Sequence, residues 1–471
     1  MFARLVKTIS MYFGVNLVAK IINFFFFAWV SRWLTIDEMG EFSLLNMSVT
    51  LLSLLMLMEI PSGFYRYYLE QPQAERDIFE NSVINFLLVF DTVLVGVFIV
   101  IYILCPNIFA MLPNDTLAMF FILLIPFGNA IVNIYQVKMR LLQQAGNVAR
   151  VILTQSISYI VSFYLLWYLG MSKLASLMGA FVGQNLFIVL FCYKDFRTWR
   201  PIICWQKIQE CARFSFWLVP SSIGAYFSLL SGKYFLGSKN MIRDIGIYEG
   251  NNKVANTFQL VMEPIYMAVS PMYFARYRED GYRFFYLHTL IGIVLLMLMV
   301  IIITGCFSRE IIWIVLGGKY VAYYSYLYFF IGLSIFQFMS RILATNIHLA
   351  KKSQYDTAIE IFSGIINCAL CFGVLNFFDG GLKEVVMVIT LCYGMRMWLY
   401  LMVANHCFLK TAIPLLYGIV FLVAGTGISL GNYMLQGLEF YWRLAICLLE
   451  IVSVAFIIAK FVRIEIKSIW K

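Results

Sequence analysis

Lys20 follows Asn16 by four residues and precedes Asn23 by three, a spacing that stacks all three on one face of a helix. A lysine on such a polar stripe is a compact cation suited to an anionic group, and amides on either side can donate to it or accept from it. Lys233, Lys253, Arg341 and Arg396 also stand within or at the ends of apolar stretches. With Asn16, Asn23 and Asn252 as polar lining, these five cations describe a cavity for an anionic headgroup. The same residues have a plainer use. Each can pair with an acid, Asp91, Glu249, Glu263 or Glu360, and Lys233 and Arg341 could instead extend their charge to an interface. Glu249 and Lys253 are four apart, which suits an ion pair along a helix. Asp91, Glu360 and Glu249 could alternatively be protonatable groups that couple an ion.

Sites for bond-making chemistry are not evident in the pattern. Gly232-Lys233 and Gly318-Lys319 lack the upstream glycine of a phosphate-binding loop, and each lysine precedes tyrosine where Ser or Thr is required. His288, His348 and His406 lie far apart, and no pair of ligands has metal-binding spacing, so neither a metal nor another cofactor is expected. The ten cysteines are scattered, with no spacing that argues for disulfides.

The elements that must hold these residues are membrane helices. Hydrophobic residues make up 62% of the 471 and charged residues 13%, with a mean hydropathy of +0.83, which excludes an ordinary soluble domain. A charge at the centre of a spanning helix costs about 2.5–3.5 kcal/mol on insertion scales, so the deep cations should face a protein interior or a wet cavity. Crossing the hydrocarbon takes about twenty apolar residues. Windows of that length predict about fourteen helices, near 9–33, 41–60, 81–104, 116–137, 148–169, 174–193, 213–236, 246–272, 285–305, 321–347, 354–378, 384–406, 411–430 and 440–460. The N-terminal run is too long for a cleaved signal and lacks its small-residue site, so it reads as a retained first helix.

With that assignment 22 of the 35 lysines and arginines fall on one side and nine on the other, which makes the first side, and both termini, cytoplasmic. The net charge of +10 follows from this bias and does not argue for nucleic acid. A basic connection at 194–212 then divides the chain into a six-helix lobe at 1–193 and another at 213–406, with 407–471 left as an extra helix pair and cytoplasmic tail. Gly40, Phe42 and Asn46 align with Gly246, Tyr248 and Asn252 at one common offset, as expected of two similar halves. The expected fold is an all-α integral membrane protein of two pseudo-symmetric six-helix lobes plus two C-terminal helices.

The segment SRWLTIDEMGEFSLL, after a first helix that carries Asn and Lys, resembles the same region of Wzx-type flippases for O-antigen and capsule units. These belong to the polysaccharide biosynthesis family within the multidrug/oligosaccharidyl-lipid/polysaccharide exporter superfamily. Length, helix number and the arrangement of lobes are similar across the whole chain. The resemblance implies a MATE-like fold and a non-enzymatic protein of the bacterial inner membrane. It implies as substrate an undecaprenyl-pyrophosphate-linked oligosaccharide, moved from the cytoplasmic to the periplasmic leaflet by alternating access. Membrane lipids and other polysaccharide assembly proteins are its implied partners. Lipid II is less expected, because its flippases look Arg-rich where this chain offers Lys20. Two other readings stay open. One is a multidrug or cation antiporter of the same superfamily, which would favour an acidic cavity. The other is a membrane glycosyltransferase or polysaccharide polymerase, for which Asp37 and Glu38 in the first outer loop are candidate acids, although that loop is short.

Overall fold

The computed structural model describes residues 2–105, 111–142, 144–191, 199–277, 279, 281–350, 352–407, 431 and 434–469. Among them regular structure is helical throughout. The chain forms two compact units, residues 1–246 and 247–471.

The first unit holds α1 (Phe2–Trp33), α2 (Ile36–Leu57), α3 (Ile60–Tyr67), α4 (Arg76–Leu104), α5 (Thr116–Leu141) and α6 (Ala145–Tyr168). It continues with α7 (Lys173–Phe191), α8 (Trp205–Phe216), α9 (Val219–Ser238) and the first turn of α10 (Ile242–Asn256). Asp37 and Glu38, expected in an outer loop, instead form the first turn of α2. Thr35 caps this helix through a reciprocal pair: its hydroxyl accepts from the Glu38 N–H at 3.1 Å, and its own N–H donates to Glu38 Oε2 at 2.7 Å. Lys173 Nζ adds a bond of 2.9 Å to each Glu38 oxygen. These helix-end contacts hold the carboxylate in place as a structural cap.

At its other end α2 stops at Met58 and Glu59, both left-handed at φ 44° and 56°. That backbone costs on the order of 1–2 kcal/mol per residue. Offsetting bonds come from the Glu59 carboxylate, which accepts from Ser62 at 2.7 Å and Ser222 at 2.6 Å. Pro61 then sits in the first turn of α3, where a missing N–H is harmless.

The core of this unit runs between α1, α2, α5, α6 and α7, around Leu34, Met39, Leu45, Phe163 and Met178. Trp29 and Trp33 of α1 pack on Phe163 and Trp167 of α6, with Trp33 and Trp167 ring centres 5.2 Å apart. Such indole-rich helix ends suit a membrane–water boundary. Close helix approach is carried by small residues: a Cβ on Gly183 would lie 2.3 Å from Ser162 Oγ. In the 194–212 connection the described part is docked. Asn85 of α4 donates to the carbonyls of Arg200 (2.8 Å) and Ile202 (3.0 Å), Ser82 accepts from the Cys204 N–H (2.9 Å), and α8 follows at once.

Each of the two aligned glycines meets a backbone carbonyl in the other segment. A Cβ on Gly40 would stand 2.0 Å from the Ile242 carbonyl oxygen, and one on Gly246 would stand 1.9 Å from that of Ile36. Ile36 and Ile242 are related by the same sequence offset as the glycines, so the crossing of α2 with the start of α10 is reciprocal.

The second unit contains the rest of α10, then α11 (Phe258–Arg276), α12 (Tyr282–Cys306), α13 (Ser308–Leu316), α14 (Tyr326–Leu349), α15 (Ser353–Phe377), α16 (Leu382–Cys407) and α17 (Phe440–Ile469). Helix α16 packs along α14 and α15, and α12 along α17. Arg443 of α17 reaches Glu310 of α13 with both terminal nitrogens, at 2.6 and 3.0 Å, and donates to the Cys306 carbonyl at 3.1 Å.

Ten described helices are long and apolar enough to cross a membrane, and the pair α8 and α9, bent by 45°, makes an eleventh if it is one span. This is a multi-pass membrane protein. The span expected at 246–272 is two helices, α10 and α11, interrupted at Thr257. Asn251 donates back to the Ile247 carbonyl at 3.0 Å and Thr257 to that of Lys253 at 3.2 Å, competition of the kind that bends helices. The span expected at 440–460 lies within α17, and that at 411–430 falls outside the described residues.

Candidate functional site

Charges and amides are distributed differently in the two units. In the first, Lys20 is half-buried on α1 and makes no hydrogen bond or ion pair with any described residue. Asn23, one turn on, donates to Ser156 of α6 at 3.3 Å. The neighbouring Gln155 accepts from Gln136 of α5 at 3.1 Å. Along α5, Asn133 donates to the Asn129 carbonyl at 2.8 Å, and the Asn129 side chain donates to Ser53 of α2 at 3.1 Å. Asn129 also accepts from Asn185 of α7 at 3.0 Å, whose packing leaves no room for a side chain at Gly128. An amide-rich seam thus runs from α1 through α6 and α5 to α2 and α7. Lys233, 5% exposed, lies on α9 in the same unit, and Asn16 is half-buried on α1.

The expected cations of the second unit stand beside acids. Lys253 Nζ is 3.7 Å from Glu249, with 44% of its side chain exposed against 3% for the acid. Arg341 of α14 bonds Glu263 of α11 at 2.7 Å. Arg396 of α16 pairs with Glu360 of α15, both 13% exposed. Asn252 accepts from Asn256 at 3.4 Å. Asp91, in α4 of the first unit, is fully buried, and neither of its oxygens has a hydrogen-bond partner among the described residues. Among the described residues no group of three His, Cys, Asp or Glu side chains could hold a metal. A cavity of about 390 Å³, lined by Met58, Ile60, Phe86, Gln209, Ala212, Arg213 and Phe216, contains none of the deep charges singled out from the sequence.

Residues 5–277 match the family of polysaccharide biosynthesis proteins. The chain belongs to that family. Its fold is shared with a lipid II flippase, MurJ, in an inward closed conformation, with a TM-score of 0.70 at 13% identity over 97% of this chain and 99% of the other. It is shared also with an inward-facing multidrug resistance MATE transporter of the MOP superfamily, at a TM-score of 0.56 and 14% identity over 87% and 96% of the two chains. A MOP superfamily transporter from Pyrococcus furiosus, described as having a binding pocket of reverse polarity, aligns with a TM-score of 0.50 and 14% identity over 90% and 95%. At such identities the likeness is one of fold. No curated protein sequence matches.

Within this polysaccharide biosynthesis protein the seam on α5 went unnoticed in the sequence, although its signal is there. Asn129, Asn133 and Gln136 repeat the spacing of Asn16, Lys20 and Asn23, four and then three residues apart. Their partners Gln155, Ser156 and Asn185 belong to other helices, and only packing brings them together.

Proposed function

We propose that this protein is a flippase that carries an undecaprenyl-pyrophosphate-linked oligosaccharide of the O-antigen or capsule type from the cytoplasmic to the periplasmic leaflet of the bacterial inner membrane. The observation that carries this reading is Lys20, without a partner among the described residues, beside a seam of neutral amides. Amides both donate and accept, which suits sugar hydroxyls, and the ammonium supplies charge for phosphate. The prenyl tail can remain in lipid. Asn16, Asn23 and Asn252 serve as polar lining in this reading, and Lys233 as a second cation. Lys253, Arg341 and Arg396 would have to exchange an acid for the substrate, while Asp91, Glu249 and Glu360 are the candidates for ion coupling. Lobes at 1–193 and 213–406, linked through 194–212 and followed by the helix pair of 407–471, would give access to each leaflet in turn. A negative cell interior assists export of an anion by about 2.3 kcal/mol per charge per 100 mV. Family membership and a fold that also serves a lipid II flippase support translocation over bond-making.

Reconstitution into liposomes with membrane-extracted lipid-linked oligosaccharide, scored by sugar accessibility on each leaflet, tests the proposal. Wild-type protein should equilibrate the sugar between leaflets, and Lys20→Ala should slow this by about tenfold or more, the loss of one charge-assisted bond. Chain growth or hydrolysis without translocation would replace the reading by a glycosyltransferase or polymerase. Proton-driven movement of an organic cation, with no movement of sugar, would replace it by an antiporter.

A further inference from the structure

The Arg396–Glu360 pair is the inner end of a longer series of polar contacts. His348, near the end of α14, places Nε2 3.4 Å from Asp356 Oδ2 on α15. The other oxygen of Asp356 accepts from the Tyr400 hydroxyl of α16 at 2.5 Å, and that hydroxyl also stands 2.9 Å from Glu360 Oε1. The same Glu360 oxygen accepts from Arg396 Nη2. Side-chain exposure falls along the series from 43% at His348 to 28% at Asp356 and 13% at Glu360 and Arg396. At the buried end, Glu360 Oε2 and Arg396 Nε have no hydrogen-bond partner among the described residues. A pair serving only stability would use both carboxylate oxygens and the full guanidinium fork.

We propose that His348, Asp356, Tyr400 and Glu360 form a proton path ending on a carboxylate that masks Arg396, so that proton loading frees Arg396 for a phosphate-bearing anion. The identity of that anion as the lipid-linked substrate rests on the flippase reading. His348, protonated from water, gives its Nε2 proton to Asp356. After the Asp356 carboxyl turns, its proton passes to the Tyr400 oxygen while the phenol hydrogen moves to Glu360 Oε1. Tyr400 ends unchanged, Glu360 is neutral, and the buried pair has gained one positive charge, which an anionic headgroup can balance.

Among the described residues, the groups facing the path come from several helices. His348 comes from α14, and Tyr393, Arg396 and Tyr400 come from α16, with the Arg396 guanidinium 5.4 and 5.7 Å from the two rings. Tyr248 of α10 packs edge-on against Phe330 of α14, 4.6 Å between ring centres. Lys352, beside the exposed end, lies over Tyr355. The other charged pair on α14, Arg341 with Glu263 of α11, is bonded within itself.

Two measurements on the purified full-length protein test this. Infrared difference spectra across a pH titration should show a protonated-carboxyl band that Glu360→Gln removes. At a single near-neutral pH, Glu360→Gln should bind inorganic pyrophosphate about tenfold more tightly than wild type, since its Arg396 is already unmasked. A band that survives Glu360→Gln, or equal pyrophosphate binding by the two proteins, overturns the proposal. If Glu360→Gln does not fold, His348→Gln at the exposed end decides: it should keep the band but delay its appearance after a pH jump, and unchanged kinetics overturn the path. Sugar translocation is scored separately. Titration of Glu360 without translocation refutes the flippase reading alone, and translocation without it refutes the proton path alone.

Discussion

At Lys20 the question is how much a side chain contributes to stability when none of the described residues binds it. With no partner to lose, Lys20→Ala should leave the thermal midpoint in detergent within about 1 °C of wild type, a surface-like effect, while translocation falls. A marked drop in the midpoint would mean the ammonium has a structural partner. Asp91 presents the opposite case. Its carboxyl is fully buried with no hydrogen bond to any described residue, a state whose desolvation is uncompensated. Asp91→Leu should therefore raise stability, by about 1–3 kcal/mol, in a thermal or denaturant titration. Destabilisation would show that the carboxyl is held by a partner. The sequence exposed some of this and hid the rest, for a physical reason. Lys253 and Glu249 are neighbours along a helix, so their pairing could be anticipated. Arg341 and Glu263 are 78 positions apart and Arg396 and Glu360 36 apart, and only the packing of separate helices joins them. The α5 stripe was legible in principle, but it carries no charge to attract notice.

Among the helices, the crossing of α2 with the start of α10 has the least tolerance. A methyl at Gly40 or Gly246 would overlap a backbone carbonyl, which cannot rotate away as a side-chain end could. Gly40→Ala and Gly246→Ala should each destabilise by about 1–3 kcal/mol or more, measured as a fall in thermal midpoint. Gly14→Ala is the control: a Cβ there meets nothing within 4 Å among the described residues, and the better helix former should be neutral or stabilising by up to about 1 kcal/mol. Equal behaviour of all three would remove the close crossing. Apolar runs made most spans legible, because twenty such residues have few other uses in a chain of this composition. Helix ends were less so. The acids of α2 read as a loop because they are polar, yet polarity is also what a helix N-terminus selects. The break at Thr257 depends on back-bonding that hydropathy does not register.

On the scale of the whole chain, the helical architecture of the described residues follows from composition, whereas the anchoring of the last helix does not. Burial would raise Glu310, but the two-nitrogen grip of Arg443 outweighs it and holds the carboxyl below its ordinary value. Stability from this pair is then complete above the unfolded carboxyl's pKa and is lost as pH falls through the lower folded value. Hydrogen exchange in the first turns of α17 should accelerate as the pH drops below about 4, and Glu310→Gln should show fast exchange already at neutral pH. Exchange that ignores both pH and the substitution would mean that packing against α12 suffices.

The glycine crossing can also be described as an oligomer interface would be. Residue 36 touches residue 246 as 242 touches 40, which is the isologous rule of a two-fold dimer carried by one polypeptide. A true homodimer must repeat every residue on both sides of its axis. A fused one need not: Asp37 occupies the place that Arg243 holds in the second copy, opposite charges at equivalent positions. The joint is reciprocal in its backbone contacts and polarised in charge, a combination closed to two identical chains related by an exact two-fold axis.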